Sequence, residues 1–255
     1  MNFKFRTYFS SKLKLRLKSS PFYFFRLVQL EWYRLKKEGD FSQFGEQEVL
    51  IHLFAKKKKG NYLDIGAGRP ITRSNTFALY KEGWHGVTID PIKSNQTLHK
   101  LFRPRDKFIR CLVGGNKNAS LGLIDFYEFD RVDYSTALVD VAQALISPES
   151  SVSLRSLSRL PIISIRTLYE QAKIEFVDLL SVDCEGMDFE IIDSIDWGNV
   201  FPPSVICIEN YFLGKTDVRI QNLLTSVGYQ LFAEKFPSSI YVHEDFIEGN
   251  RLLNG

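Results

Sequence analysis

Two short stretches most constrain how this chain can fold, namely residues 61–68 (NYLDIGAG) and 86–91 (GVTIDP). Each predicts a buried strand with an acidic residue at or near its end, and the first strand runs into a glycine-rich turn. The separation between Gly68 and Asp90 is that of one strand–helix–strand unit. Such a unit can build a nucleoside site, because glycines let the backbone approach the ligand and the second acid receives the ribose hydroxyls.

Strand and helix patterns alternate along most of the chain. We predict helices over residues 21–37, 45–55, 73–82, 93–102, 187–195 and 217–227. We predict strands over residues 61–65, 86–90, 107–113, 121–129, 162–166, 177–183, 204–209, 229–233 and 239–243. Residues 130–160 are Ser-rich, and we expect an irregular segment there that could bind an acceptor. The alternation is typical of an α/β fold with a mostly parallel sheet and helices on both faces, in which ligands bind at the carboxyl ends of the strands.

Composition favours one large domain with an appendage. The chain has 255 residues, of which 44% are hydrophobic, enough for a full core. No stretch is long and apolar enough to predict a membrane-spanning helix or a secretory signal. The three cysteines, Cys111, Cys184 and Cys207, fall in or beside predicted strands without metal spacing, which is typical of reduced thiols. We therefore expect a cytoplasmic protein.

Basic charge is concentrated at the N-terminus. Residues 1–40 contain ten Lys and Arg but three Asp and Glu, with Phe, Tyr, Trp and Leu interleaved. This pattern predicts a basic aromatic extension over residues 1–40, ahead of a main domain over residues 41–255. Residues 1–37 fit a peripheral contact with the inner face of a membrane, and the alternative is a disordered tail followed by a packed helix. A nucleic-acid partner is not expected, since no aromatic-basic strand pattern accompanies the charge.

The glycine turn supplies the first candidate residues. Gly66 and Gly68 permit positive φ and close ligand approach, while Asp64 could accept a hydrogen bond from an ammonium group or order the turn. A dinucleotide loop would carry a third glycine where this chain has Ile71, which disfavours NAD. Asp90 could bind a ribose or cap the following helix. Ser74 and Asn75 could likewise cap a helix or meet a carboxylate of the ligand.

A second group of acids ends two later strands. Asp183 and Glu185 follow a predicted buried strand, where they could serve as a base, hold a substrate or bind a metal, or one of them could cap the next helix. Glu209 and Asn210 end the neighbouring strand. A divalent ion, if the protein uses one, would be held by Asp183 with these two residues.

The order and spacing of seven segments resemble the FkbM-type methyltransferases, which are S-adenosylmethionine-dependent O-methyltransferases. The similar segments are Ser42–Glu46, Tyr62–Gly68, Ser74–Thr76, Gly83–Pro91, Phe126–Phe129, Ser135–Thr136 and Asp178–Gly186. The resemblance implies a class I methyltransferase fold, Rossmann-like, with a seven-stranded sheet and the cofactor lying across its first two strands.

The resemblance also implies roles for individual residues. Asp64, Gly66, Ala67 and Gly68 would line the methionine part of S-adenosylmethionine, with Ser74 and Asn75 beside them. Asp90 and Pro91 would hold the ribose. Asp183 and Glu185 would border the site of methyl transfer. Relatives carry an acid near the adenine, whereas this chain has Gly114, Gly115 and Asn116 there, so Asn116 or backbone groups would make that contact.

These observations predict methyl transfer to a hydroxyl of a sugar, a glycan or another small molecule. Asp183 or Glu185 is the candidate base, and a metal is the alternative means of acidifying the hydroxyl. A lipid-linked glycan would suit the basic N-terminus. The competing functions are an NAD-dependent oxidoreductase and a non-catalytic nucleoside-binding relative.

Overall fold

In the computed structural model, a large central sheet determines where the site lies. The structure describes residues 21–37, 39–147, 150–199, 202–212 and 214–252, so the predicted basic tail over residues 1–20 lies outside it. Within these residues the sheet has seven strands, which are β1 (Asn61–Ile65), β2 (His85–Ile89), β3 (Lys107–Ile109), β7 (Leu179–Val182), β8 (Val205–Glu209), β11 (Tyr229–Lys235) and β12 (Ser238–His243). They lie in the order β11-β12-β8-β7-β1-β2-β3.

The sheet is parallel from β3 to β8. The pairs β1–β2, β1–β7, β2–β3 and β7–β8 are all parallel, whereas β12 runs antiparallel to both β8 and β11. All five parallel strands therefore end at one edge. The predicted seven-stranded, mostly parallel sheet is confirmed.

Alternation along the strands buries both faces of the sheet. In β1, Leu63 and Ile65 join one apolar cluster, whereas Tyr62 joins the other. In β8, Ile206 and Cys207 divide in the same way. This pattern follows from the two-residue period of a strand.

Helices cover both clusters. In chain order they are α1 (Pro21–Lys36), α2 (Glu46–Leu53), α3 (Phe77–Lys81), α4 (Lys93–Phe102), α5 (Asn116–Ala119), α6 (Val139–Leu145), α7 (Ile165–Ala172), α8 (Asp188–Asp193), α9 (Val218–Ser226) and α10 (Glu244–Leu252). None of the helices in the described ranges is long and apolar enough to cross a bilayer.

A smaller sheet corrects the prediction of one strand over residues 107–113. The chain bends after β3, where the Arg110 Nε donates to the Pro91 carbonyl at 2.9 Å. It then leaves the main sheet as β4 (Leu112–Val113), which pairs with β6 (Leu154–Ile163). The predicted strand over residues 121–129 is present as β5 (Leu123–Phe129), antiparallel to β6.

The prediction that residues 130–160 are irregular is wrong. This segment contains a 3-10 turn (Val132–Tyr134), α6 and most of β6. The short strand predicted over residues 162–166 is also wrong, because β6 ends at Ile163 and α7 follows. Ser164 caps α7 by accepting a hydrogen bond from the Thr167 amide at 3.1 Å. Two short strands, β9 (Tyr211–Phe212) and β10 (Lys215–Thr216), and the helix α10 were not predicted either.

Candidate active site

A cavity of about 670 Å³ opens where the parallel strands end. Its floor is formed by residues at the carboxyl ends of β1, β2, β7 and β8, which include Gly66–Gly68, Asp90, Asp183 and Glu209. Its walls come from α1, from the segment around Gln43–Glu46 and from the β4–β6 sheet. Its volume lies within the range usual for small-molecule sites.

The glycine turn joins the ends of three strands. The Gly66 and Ala67 amides both donate to the Ile89 carbonyl at 2.9 Å, which ties the turn to β2. Gly66 has φ +79° and lies against the segment after β7, so that a Cβ atom there would come within 1.7 Å of the Asp183 carbonyl oxygen. Only glycine fits this position.

Asp90 is buried at the centre of the floor and is tied to the same turn. Its Oδ2 accepts from the Gly68 amide at 3.1 Å, and its Oδ1 accepts from the Ile92 amide at 2.8 Å and from Asn95 Nδ2 at 2.9 Å. Burial raises the pKa of Asp90 to about 7, although these three donors oppose the shift. The helix cap predicted as its alternative role is taken by Ile92, since α4 begins at Lys93.

His99 supports the turn from behind. Its Nε2 donates to the Gly68 carbonyl at 3.1 Å, which leaves Nδ1 to accept from Thr88 Oγ1 at 3.2 Å. Burial lowers the pKa of His99 to about 3, so the ring is neutral. Nothing in the sequence distinguishes this histidine from the other three.

Asp64 lies beneath the cavity and does not line it. It accepts a hydrogen bond from Thr76 Oγ1 at 2.6 Å, and burial raises its pKa. The buried Arg103 donates to Thr76 Oγ1 at 2.9 Å and to Ser74 Oγ at 3.1 Å. These contacts place Asp64 and Ser74 in a buried network that holds residues 66–76.

Asn75 lines the cavity, but neither it nor Ser74 caps the following helix. The N-cap of α3 is Thr76, and its side chain makes no capping hydrogen bond, since its hydroxyl donates to Asp64 and accepts from Arg103. The predicted capping role of Ser74 or Asn75 is therefore wrong. Ala67 and Pro91 line the cavity as well.

Asp183 and Glu209 form a hydrogen-bonded carboxyl pair in the floor. Burial raises both pKa values, and the pKa of Glu209 rises further because the Asp183 charge lies beside it. Glu209 is thus the protonated partner, and its proton is donated to Asp183. Among the described residues Glu209 Oε2 has no hydrogen-bond partner, although it is buried.

The turn after Asp183 is held by Asp188, the first residue of α8. Its carboxylate accepts from the Cys184 amide at 2.8 Å and from the Gly186 amide at 3.1 Å. The N-cap of α8 is Met187, so the predicted capping role of Asp183 or Glu185 is wrong. Glu185 lines the cavity with φ +52°, a conformation that is costly for a residue with a side chain.

Two predicted contacts lie elsewhere. Asn116 begins α5 and does not line the cavity, where Cys111, Leu112 and Val113 are found instead. The Asn210 side chain donates to Ser239 Oγ at 2.8 Å and likewise is not a lining residue. Across the described ranges no group of three or more His, Cys, Asp or Glu side chains could hold a metal ion.

The helix α1 is part of the cavity wall. The Glu31 carboxylate is buried and accepts from the Ile71 amide at 3.0 Å and the Thr72 amide at 3.1 Å. Arg69 Nη1 lies 3.7 Å from its other oxygen. Tyr23, Arg26, Leu27 and Leu30 on the same helix line the cavity.

Sequence reasoning missed the wall residues because no local pattern places them there. Glu46, on α2, is buried and lines the cavity. It lies in the segment Ser42–Glu46 that carried part of the family resemblance, which is the signal that could have identified it. Arg131 and Arg155 line the cavity from the β5–β6 region and gave no such signal.

Comparisons with known proteins gave one family match and matches to solved structures. A family model described as the methyltransferase FkbM domain matches residues 64–231. Among solved structures, methyltransferase FkbM from Methylobacillus flagellatus KT is 13% identical with a TM-score of 0.43, covering 73% of this chain and 44% of its own. The C-terminal domain of precorrin-6Y C5,15-methyltransferase from Rhodobacter capsulatus is 12% identical with a TM-score of 0.38, covering 80% of this chain and 90% of its own.

The chain therefore spans less than half the length of the Methylobacillus protein. No curated protein matches it. Because the family model covers more than half of the chain, this protein belongs to the FkbM methyltransferase family.

Proposed function

We propose that this protein transfers the methyl group of S-adenosylmethionine to a hydroxyl of a sugar, a glycan or another small molecule. The observation that carries the proposal is the Asp183–Glu209 carboxyl pair, which faces the same cavity as the glycine turn and Asp90. The candidate base and the candidate nucleoside subsite thus line the same cavity.

The residues of the floor fit this cofactor. Gly66–Gly68 let the backbone approach the methionine part closely, and the buried Asp90 has one lone-pair site left, on Oδ2, for a ribose hydroxyl. Cys111–Val113 would border the adenine. NAD is disfavoured by the missing third glycine, and a thermal-shift comparison of adenosylhomocysteine with NAD separates the two functions.

S-adenosylmethionine supplies a methyl group that its sulfonium already makes electrophilic, so the protein chiefly has to align the acceptor and remove its proton. Alignment alone can lower a barrier by about 7–11 kcal/mol. Asp183 would take the proton of the acceptor hydroxyl while the methyl–oxygen bond forms, the methyl–sulfur bond breaks and adenosylhomocysteine leaves, and a positioned base contributes about 10²–10⁴-fold. Glu209 donates to Asp183 and fixes its orientation, while its orphaned Oε2 can accept from the acceptor.

The experiment measures adenosylhomocysteine formation with a panel of sugars and nucleotide sugars, in wild type and in Asp183→Asn. We expect the variant to bind adenosylhomocysteine normally but to lose about a hundredfold or more in kcat. Full turnover in both Asp183→Asn and Glu185→Gln would refute the carboxylate base. A metal held by Asp183 and Glu209 is the alternative, and activity that survives exhaustive chelation would exclude it.

We also propose that α1 docks the protein on the inner face of an anionic membrane, which suits a lipid-linked acceptor. Phe22 is 63% exposed and Phe25 is 56% exposed, and Trp32 and Tyr33 are exposed as well. Lys36 and Lys37 follow them at the end of the helix. Such a basic, aromatic surface favours binding to anionic lipid.

A flotation assay with vesicles of phosphatidylglycerol and phosphatidylcholine tests this surface. We expect wild type to float at low salt and the double variant Phe22→Ala/Phe25→Ala to float less. Phe232→Ala is the matched control, since Phe232 is 50% exposed on β11. Equal flotation of all three proteins, or no flotation of any of them, would refute membrane docking through α1.

A further inference from the structure

Five arginines border the cavity, and none of them belongs to the strand ends of its floor. They are Arg26, Arg69, Arg73, Arg131 and Arg155. The acids of the cavity, by contrast, come from the floor and from α2. The carboxyl groups that line the cavity therefore come from the strand ends and α2, and the guanidinium groups come from other segments.

Three of these arginines lie on α1 and in the β5–β6 region, which form walls of the cavity. Arg26 is on α1, Arg155 is on β6, and Arg131 follows the end of β5. The two elements meet where the Arg155 Cζ lies 5.1 Å from the centre of the Tyr23 ring. Tyr23 and Arg26 are one helical turn apart, so they share a face of α1. We call Arg26, Arg131 and Arg155 the arginine roof.

The arginine roof has more positive charge than its own carboxylates neutralise. Arg155 Nη1 pairs with Glu128 Oε1 at 2.7 Å. Among the described residues no carboxylate forms an ion pair with Arg26 or Arg131. Both side chains are exposed, and the Arg131 guanidinium is held 4.6 Å from the centre of the Tyr134 ring.

The cofactor does not require these groups. Its methionine part would lie along the glycine turn, where Arg69 follows Gly68 directly and Arg73 comes later in the same loop. Its ribose would lie on Asp90. The arginine roof is left facing the remaining space, which is the space for the acceptor.

We propose that the acceptor carries a phosphoryl group and that the arginine roof binds it. This inference rests on the proposed function, since it names the substrate class of the same site. Guanidinium groups bind phosphate with paired, charge-assisted hydrogen bonds, and two or three of them match a doubly charged anion. The phosphoryl group would anchor the acceptor while its sugar hydroxyl extends toward Asp183.

Titration calorimetry with inorganic pyrophosphate, on protein saturated with adenosylhomocysteine, tests the arginine roof. We expect wild type to bind pyrophosphate, and the double variant Arg26→Gln/Arg131→Gln to bind it at least tenfold more weakly. The control is Arg166→Gln, because Arg166 is on the exposed surface of α7 and pairs with Glu170. Adenosylhomocysteine affinity should be unchanged in both variants, which shows that they are folded.

Undetectable pyrophosphate binding to wild type, or equal affinity in the double variant, would overturn the inference. If wild type binds pyrophosphate but not adenosylhomocysteine, the proposed function fails instead, so the two failures are distinguishable.

Competition against pyrophosphate then identifies the source of the phosphoryl group. Displacement by UDP-glucose supports a soluble nucleotide sugar, whereas displacement by phosphatidylcholine vesicles containing polyprenyl phosphate, and not by phosphatidylcholine alone, supports a lipid-linked acceptor. Failure of both to compete would contradict the inference, since the bound anion would then have no relation to an acceptor.

Discussion

At the scale of single residues, Gly66 and Asp90 show how few positions determine this site. Gly66 lets the turn after β1 contact the segment after β7, and Asp90 ties that turn to the end of β2. Both could be predicted from the sequence, because a glycine-rich turn and a strand-ending acid have fixed places in a parallel sheet.

Gly66→Ala should prevent the site from forming. The new Cβ would meet the backbone of Asp183 at 1.7 Å, which a flexible side chain cannot relieve. We expect a loss of more than about 4 kcal/mol in the free energy of unfolding, or no folded protein. Gly122→Ala is the matched control, since Gly122 has a similar φ of +71° and nothing within 4 Å. Equal losses in urea denaturation would mean that backbone strain alone, rather than the contact, explains Gly66.

Asp90→Asn should weaken adenosylhomocysteine binding by about 10- to 100-fold, the usual cost of hydrogen bonds to a charged group. Because burial raises the pKa of Asp90 to about 7, wild-type affinity should also increase as the pH rises through neutrality and the carboxylate ionises. The variant should lack this dependence. Calorimetry between pH 6 and pH 8 measures both effects, with Asp125→Asn, on the exposed surface of β5, as the control. A flat wild-type profile would contradict the assignment of Asp90.

At the scale of elements, the floor and the walls of the cavity differ in how far the sequence predicts them. The strands β1, β2, β7 and β8 could be predicted because buried parallel strands are continuous apolar runs with turn residues at their ends. The walls could not, since α1 and the β5–β6 pair reach the site only through tertiary contacts such as that of Glu31 with the Ile71 amide. Residues 154–163 were missed as a strand because the polar and apolar residues do not alternate with burial: Ser156 and Ser158 are half-buried, whereas Leu157 is exposed.

Glu31→Ala tests whether α1 belongs to the site. The change leaves the Ile71 and Thr72 amides without their acceptor, which costs about 1–3 kcal/mol for a buried group. We expect a lower Tm together with weaker adenosylhomocysteine binding, because Ile71 and Thr72 belong to the loop that continues from Gly68 in the glycine turn. Glu48→Ala is the control, since Glu48 is 85% exposed and makes one long ion pair with Lys235. Unchanged ligand affinity in Glu31→Ala would place α1 outside the binding machinery.

At the scale of the whole molecule, the buried acids of the floor lower the free energy of unfolding when they ionise. Burial raises the pKa of Asp183 to about 7 from its ordinary value of 3.8. A carboxyl group whose pKa is raised on folding contributes stability that is fully present at a pH below its pKa in the unfolded state. This stability is lost as the pH rises through its pKa in the folded state. We therefore expect wild type to lose stability relative to Asp183→Asn between about pH 4 and pH 7. Parallel curves of unfolding free energy against pH for the two proteins would show that Asp183 is not buried as an acid.

A crystal structure of the full chain with adenosylhomocysteine would show directly whether the cavity binds the cofactor. We expect a ribose hydroxyl to contact the Asp90 carboxylate, the methionine part to follow Gly66–Gly68, and the sulfur to face the Asp183–Glu209 pair. A ligand bound anywhere else, or a cavity that stays empty at saturating ligand, would contradict this expectation.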